Sequence, residues 1–174
     1  APAISQGRQE WRMVTSWPKM FPGGGTAADR FARNISEVTG GRLTIKVFSA
    51  GELVPAFEAF DAVQRGTADV MHSTPYYWQN KSKILSLYTT VPFGMTNYET
   101  IAWLRYGGGQ ALWDEAYAQF GLKGFAAGST SVQMAGWFNK EIKSAADFKG
   151  LKMRIPGLGG EALRRLGATI VNLP

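Results

Sequence analysis

Residues 10–72 alternate between two apolar periods, one of two residues and one near 3.6, and few folds accommodate that order. Residues 10–17 (Glu-Trp-Arg-Met-Val-Thr-Ser-Trp) alternate as a strand. Pro18, Pro22 and the run Gly23-Gly24-Gly25 interrupt it. Thr26 and Asp29 then predict an acidic capping box for a helix with Phe31, Ile35 and Val38 as its inner stripe, closed by Gly40-Gly41. Arg42 to Phe48 predicts a second strand with Leu43, Ile45 and Val47 on one face. Pro55 opens a second helix with Phe57, Phe60 and Val63 inward, and Gly66 ends it. Ala68 to His72 is a third strand. Strand-helix-strand-helix-strand with short connections predicts an α/β fold with a parallel sheet.

The remainder is less regular. The aromatic cluster Tyr76-Tyr77-Trp78 follows the third strand, at the end where open α/β sheets bind ligands. Thr96 and Glu99 cap a helix running to about Tyr106, and a further helix follows Gly107-Gly108-Gly109 as far as Phe120. Lys123–Ala127 and Ser131–Phe138 read as strands, Ser144 and Asp147 bracket a helical turn, and Leu151–Ile155 alternates again. A helix around Glu161–Leu166 and a strand over Ala168–Leu173 complete the chain. Residues 128–174 hold too little to bury a core of their own. The expected division is therefore a first α/β lobe over 1–127, with a crossover and the start of a second lobe, cut short, over 128–174.

Composition removes several functions. There are no cysteines, which excludes disulfides, thiolate catalysis and cysteine-ligated zinc. The single histidine, His72, rules out a multi-histidine metal site. Of a net charge of +6, little is clustered, so no basic stripe for nucleic acid forms. No window approaches the apolar length of a membrane-spanning helix. No carboxylate pair or nucleophile-base pairing stands out, which argues against an enzyme.

Arg154 is the residue of greatest chemical interest. Leu151, Met153 and Ile155 alternate with Lys152 and Arg154, and Pro156 stops the strand. That places a rigid donor fork on an accessible strand face, where it suits a planar carboxylate or serves as a solvated surface charge. Gln133 sits on the open face of its strand. Tyr76, Tyr77, Trp78, Phe93 and Trp17 lie at strand ends or in loops, where aromatics line pockets or fill cores. The glycine runs at 23–25 and 157–160 lack the spacing of nucleotide loops and read as turns.

Several stretches together resemble a known family. They are Thr15-Ser16-Trp17-Pro18, Ser49-Ala50-Gly51-Glu52-Leu53-Val54-Pro55, Tyr76-Tyr77-Trp78, Val91-Pro92-Phe93-Gly94-Met95, Gln133-Met134-Ala135-Gly136-Trp137-Phe138 and Leu151 to Gly160. The chain resembles the periplasmic solute receptors of tripartite ATP-independent periplasmic (TRAP) transporters. The likeness is greatest to the branch that takes 2-oxo acids such as pyruvate, or monocarboxylates such as lactate. The resemblance implies a two-lobed, periplasmic-binding-protein-like α/β fold with mixed, mainly parallel sheets that closes on its ligand. It implies that Arg154 forms a salt bridge to the substrate carboxylate, and that Gln133 helps to hold a cation, usually sodium, bridging to the substrate. Tyr76, Tyr77, Trp78 and Phe93 are then expected to line the pocket. The implied protein is periplasmic and non-enzymatic, and delivers a small carboxylate to the membrane subunits of its transporter. Further cation ligands, and the helix through which some members form a homodimer, are expected outside residues 1–174. The alternative is a truncated α/β enzyme acting on a carboxylate substrate, anchored by Arg154.

Overall fold

The computed structural model describes residues 7–173, which divide into two compact units at Ser73/Thr74. The first unit is built on a three-stranded sheet of order β2-β1-β3, with β1 at Gln9–Thr15, β2 at Leu43–Phe48 and β3 at Val70–His72. Both pairings are parallel, with Met13 opposite Val47 on one side and Val70 on the other. Parallel strands need crossover connections, and α1 (Gly24–Val38) and α2 (Ala59–Gln64) provide them. Met13, Val14, Phe60 and the alanines 28, 59 and 62 form the core.

Helix α1 corrects two expectations. It begins at Gly24 with Gly23 as its cap, so Thr26 lies inside the first turn, Asp29 lies beyond it, and the two form no capping box. Its buried residues are Gly25, Ala28 and Ala32, while Phe31 and Val38 are exposed. Small residues face the sheet because the helix approaches closely. A Cβ at Gly25 would meet the Pro18 carbonyl at 2.6 Å, and one at Gly24 would collide with the Trp17 ring. The glycine run is thus a packing requirement of this helix start, more than a flexible turn.

The three strand-end loops are tied together by polar contacts. Ser16 is fully buried; its hydroxyl donates to the Ala56 carbonyl at 2.9 Å and lies 2.5 Å from the Ser73 hydroxyl. The Ala50 N–H donates to the Trp17 carbonyl at 2.9 Å. One side chain after β1 is therefore hydrogen-bonded to groups that follow β2 and β3.

The second unit packs around aromatics. Tyr88 stacks on Trp113 with centroids 4.8 Å apart, and Trp103 lies parallel at 5.8 Å from Tyr88. The expected capping box of α3 (Asn97–Tyr106) forms: the Thr96 N–H donates to Glu99 Oε2 at 2.8 Å. That bond holds the Glu99 carboxyl below the usual carboxylate range. Helix α4 spans Gly109–Ala118. Two 3₁₀ turns, Pro75–Trp78 and Lys83–Tyr88, occupy stretches where no regular period was legible. At the end of the chain β4 (Lys152–Arg154), α5 (Gly157–Arg165) and β5 (Thr169–Val171) form a parallel βαβ unit. The helix expected at Glu161 begins four residues earlier, at Gly157.

Lys123–Ala127 and Ser131–Phe138 are not strands. Alternation marks a surface suited to pairing, but a strand exists only where a neighbour completes its ladder, and no described residue does so here. Val132, Met134 and Trp137 remain exposed. Among the described strands every pairing is parallel, in agreement with the expected α/β class.

Two buried serines separate a satisfied hydroxyl from an orphan one. Ser86 is fully buried, and its hydroxyl has no partner among the described residues. Ser16→Ala is expected to lower unfolding stability by about 1–3 kcal/mol, because it strips partners from two part-buried groups, the Ala56 carbonyl and the Ser73 hydroxyl. Ser86→Ala is expected to leave stability unchanged or raise it. Thermal melts of both variants check this; an equal loss in the two would contradict it.

Candidate carboxylate-binding site

Strand β4 carries the alternation the sequence proposed: Met153 is buried, Lys152 and Arg154 are exposed. Ile155-Pro156 then ends the strand, and Pro156 caps α5. Arg154 lies in register with Val171 of β5. Two residues beyond Val171, the Leu173 carbonyl accepts from Arg154 Nε at 2.9 Å and from Nη2 at 2.6 Å. The other Nη2 hydrogen goes to the Tyr77 hydroxyl at 3.2 Å. Neither Nη1 hydrogen has an acceptor among the described residues. The Nε–Nη2 edge of the fork expected to meet a carboxylate is therefore engaged by the protein's own backbone, and the Nη1 end is left without an acceptor among the described residues.

Tyr77 is buried, with its ring edge-on to Tyr76 at 4.8 Å. Burial pushes its hydroxyl up to about 12, with Tyr76 adding to the shift and Arg154 opposing it. The phenol therefore stays protonated at neutral pH and accepts from the guanidinium. The Pro75–Trp78 turn can come this close to α5 because residue 157 is glycine. Gly157 has φ +67°, and a Cβ there would lie 3.1 Å from Tyr76 Cβ. At Gly160 a Cβ would strike the Ile155 carbonyl, and at Gly159 it would lie 3.0 Å from Ile155 Cδ1. The 157–160 run thus serves close helix-strand packing, as the run at 23–25 does.

The expected site residues separate. Arg154 and Tyr77 are in direct contact, and Tyr76 packs against Tyr77 and Gly157. Trp78 is buried within the unit. Phe93 is fully exposed on a left-handed backbone, φ 58°. Gln133 is exposed, and its amide donates to Thr130 Oγ1 at 2.6 Å. That leaves the amide oxygen of Gln133 as an acceptor, a donor type that suits a hard cation. No group of three or more His, Asp or Glu capable of holding a metal occurs among the described residues. Trp17 belongs to the first unit, where its ring meets His72 edge-on at 5.3 Å. An open depression in that unit, lined by Lys19, Asp29, Lys46 and Glu52 among others, contains none of the expected site residues. Sequence reasoning missed Leu173, and no side-chain signal could have found it, because the group concerned is a main-chain carbonyl.

The family described as bacterial extracellular solute-binding protein, family 7, matches residues 13–174. The chain belongs to this family. It is 51% identical, over 164 residues, to a monocarboxylate 2-oxoacid-binding periplasmic protein of Nostoc sp., a match covering 94% of this chain and 45% of that protein. Two solved structures match with a TM-score of 0.93 and cover 96% of this chain and 51% of theirs. One is a TRAP periplasmic solute-binding protein of Pseudoalteromonas atlantica with bound sodium and pyruvate, 46% identical. The other, from Colwellia psychrerythraea, has bound calcium and pyruvate and is 44% identical. This solute-binding protein therefore spans about half the length of the relatives it matches. The expected family and α/β fold class are borne out.

Burial lowers the His72 imidazole from its ordinary value of 6.5, so the folded state favours the neutral ring. The unfolded chain then takes up its proton first. Stability is expected to be level above about pH 6.5 and to fall as pH drops below it. As the only histidine, His72 accounts for that slope. Melting temperatures at pH 7.5 and 5.5 check this: His72→Gln is expected to flatten the difference, and an unchanged slope would contradict the assignment.

Proposed function

We propose that this protein is an extracytoplasmic receptor, in the periplasm, that binds a small monocarboxylate: a 2-oxo acid such as pyruvate, or the hydroxy acid lactate. It hands that ligand to the membrane subunits of a TRAP-type secondary transporter. The observation that carries the reading is the state of Arg154. Its guanidinium is anchored at an exposed strand end by Leu173 and Tyr77, and neither Nη1 hydrogen has an acceptor among the described residues. A cation held in fixed orientation with donors to offer is suited to a carboxylate. The names of the relatives support the same ligand class. Their bound sodium and calcium support a role for a cation, and Gln133 offers it an amide oxygen. Such a cation would neutralise charge beside the ligand.

In this reading the two lobes are 1–127 and 128–174 with whatever follows. Lobes defined by ligand closure are a different division from the two compact units. Tyr76, Tyr77, Trp78, Phe93 and Trp17 are proposed as the substrate-binding aromatics. The chemistry proposed is capture without turnover, so pyruvate is recovered unchanged.

Arg154→Lys keeps the charge but loses the planar fork and its anchoring. Its pyruvate affinity is expected to fall by about tenfold or more. Gln133→Ala is expected to weaken binding mainly when sodium is present. Calorimetric titrations with and without sodium check both. Unchanged affinity in Arg154→Lys would contradict the proposed function, and equal loss of affinity in Gln133→Ala with and without sodium would contradict the cation role.

A further inference from the structure

We infer that the main-chain carbonyl of Leu173 is a positioning group: it fixes the Arg154 side chain so that the Nη1 end, and not the Nε–Nη2 edge, meets the ligand carboxylate. The inference rests on the receptor reading above for the identity of the ligand. Its own basis is geometric. A single oxygen accepts from Nε at 2.9 Å and from Nη2 at 2.6 Å, closing the whole side edge of the fork. Nη2 also donates to Tyr77, so the guanidinium plane is held from two directions. Both partners of the carbonyl contact stand on the same βαβ unit, where Arg154 pairs with Val171 in the parallel ladder.

A proline follows each strand, after one residue for β4 and after two for β5. Arg154 is followed by Ile155-Pro156, and Asn172 is followed by Leu173-Pro174. A residue before proline is biased toward extended backbone, which restricts Ile155, next to the donor, and Leu173, which carries the acceptor. Arg154 is exposed and would otherwise sample many rotamers. A pre-set guanidinium loses less freedom when the ligand arrives, which favours affinity without any new contact.

The test uses uniformly ¹³C,¹⁵N-labelled protein and nuclear magnetic resonance, with pyruvate as the probe. In the free protein, a scalar coupling across the hydrogen bond between Arg154 Nε and the Leu173 carbonyl carbon is expected, with slowed exchange of the Nε–H. Pyruvate is expected to shift the Nη1 hydrogens and leave the coupling in place. Leu173→Ala retains the carbonyl and is expected to retain both signals and the affinity. Deleting Asn172 moves the carbonyl by one residue, and is expected to abolish the coupling and weaken pyruvate about tenfold. A free protein without the coupling that still binds pyruvate through Arg154 would overturn the positioning role and leave the receptor reading standing. A coupling that collapses as pyruvate binds would also overturn it, since the carbonyl would be a placeholder that the ligand displaces. A coupling present with no Arg154 response to pyruvate would overturn the receptor reading, and with it any positioning for a carboxylate.

Discussion

An arginine at the end of a three-residue strand has four side-chain torsions to fix, and ordering such a side chain costs up to about 2 kcal/mol. The hydrogen bonds from Arg154 to the Leu173 carbonyl and the Tyr77 hydroxyl meet that cost. Much of the second unit is arranged so that these two acceptors can be there. β5 must pair with β4 in parallel for the Leu173 carbonyl to reach the guanidinium. A parallel pair needs a crossover, which α5 supplies. Gly159 and Gly160 let α5 lie on the strands, and Gly157 admits Tyr76 beside its first turn. Tyr77, next in the chain, then reaches Arg154.

The first unit solves a different problem with a similar economy of groups. Three parallel strands release their chain at one edge, and each following loop carries polar backbone away from the ladder. Ser16, buried after β1, bonds to Ala56 and Ser73, which follow β2 and β3. The carboxyl edge of an α/β sheet is where ligands are usually met. A latch there keeps the loops in one conformation, and leaves Trp17 and His72 edge-to-face at its margin.

The alternation of periods made the α/β class legible, because parallel pairing follows from strand-helix-strand order with short loops. Capping boxes were readable where side-chain spacing alone sets them, as at Thr96 and Glu99. The cap at Thr26 misled because the helix start is fixed by Gly24 and Gly25 fitting against Trp17 and Pro18, contacts with no local signature. The 131–138 alternation misled for a related reason: a ladder needs a partner, and pattern alone does not provide one. At the site, Arg154 was legible from its strand and its proline stop. Tyr77 was legible only as one of three aromatics, two of which, Tyr77 and Trp78, turn out to be buried. Leu173 was not legible at all, since main-chain acceptors leave no trace in residue identity.

In the proposed function a fixed guanidinium, not a shaped apolar cavity, is the source of ligand recognition. Pyruvate and pyruvamide have nearly the same size and shape, and only the first carries a carboxylate. A calorimetric comparison of the two in sodium-containing buffer tests the claim most directly. The account predicts saturable binding of pyruvate and at least about a hundredfold weaker binding of pyruvamide, as expected when a charge-assisted partner is lost. Comparable affinities for the two would contradict it.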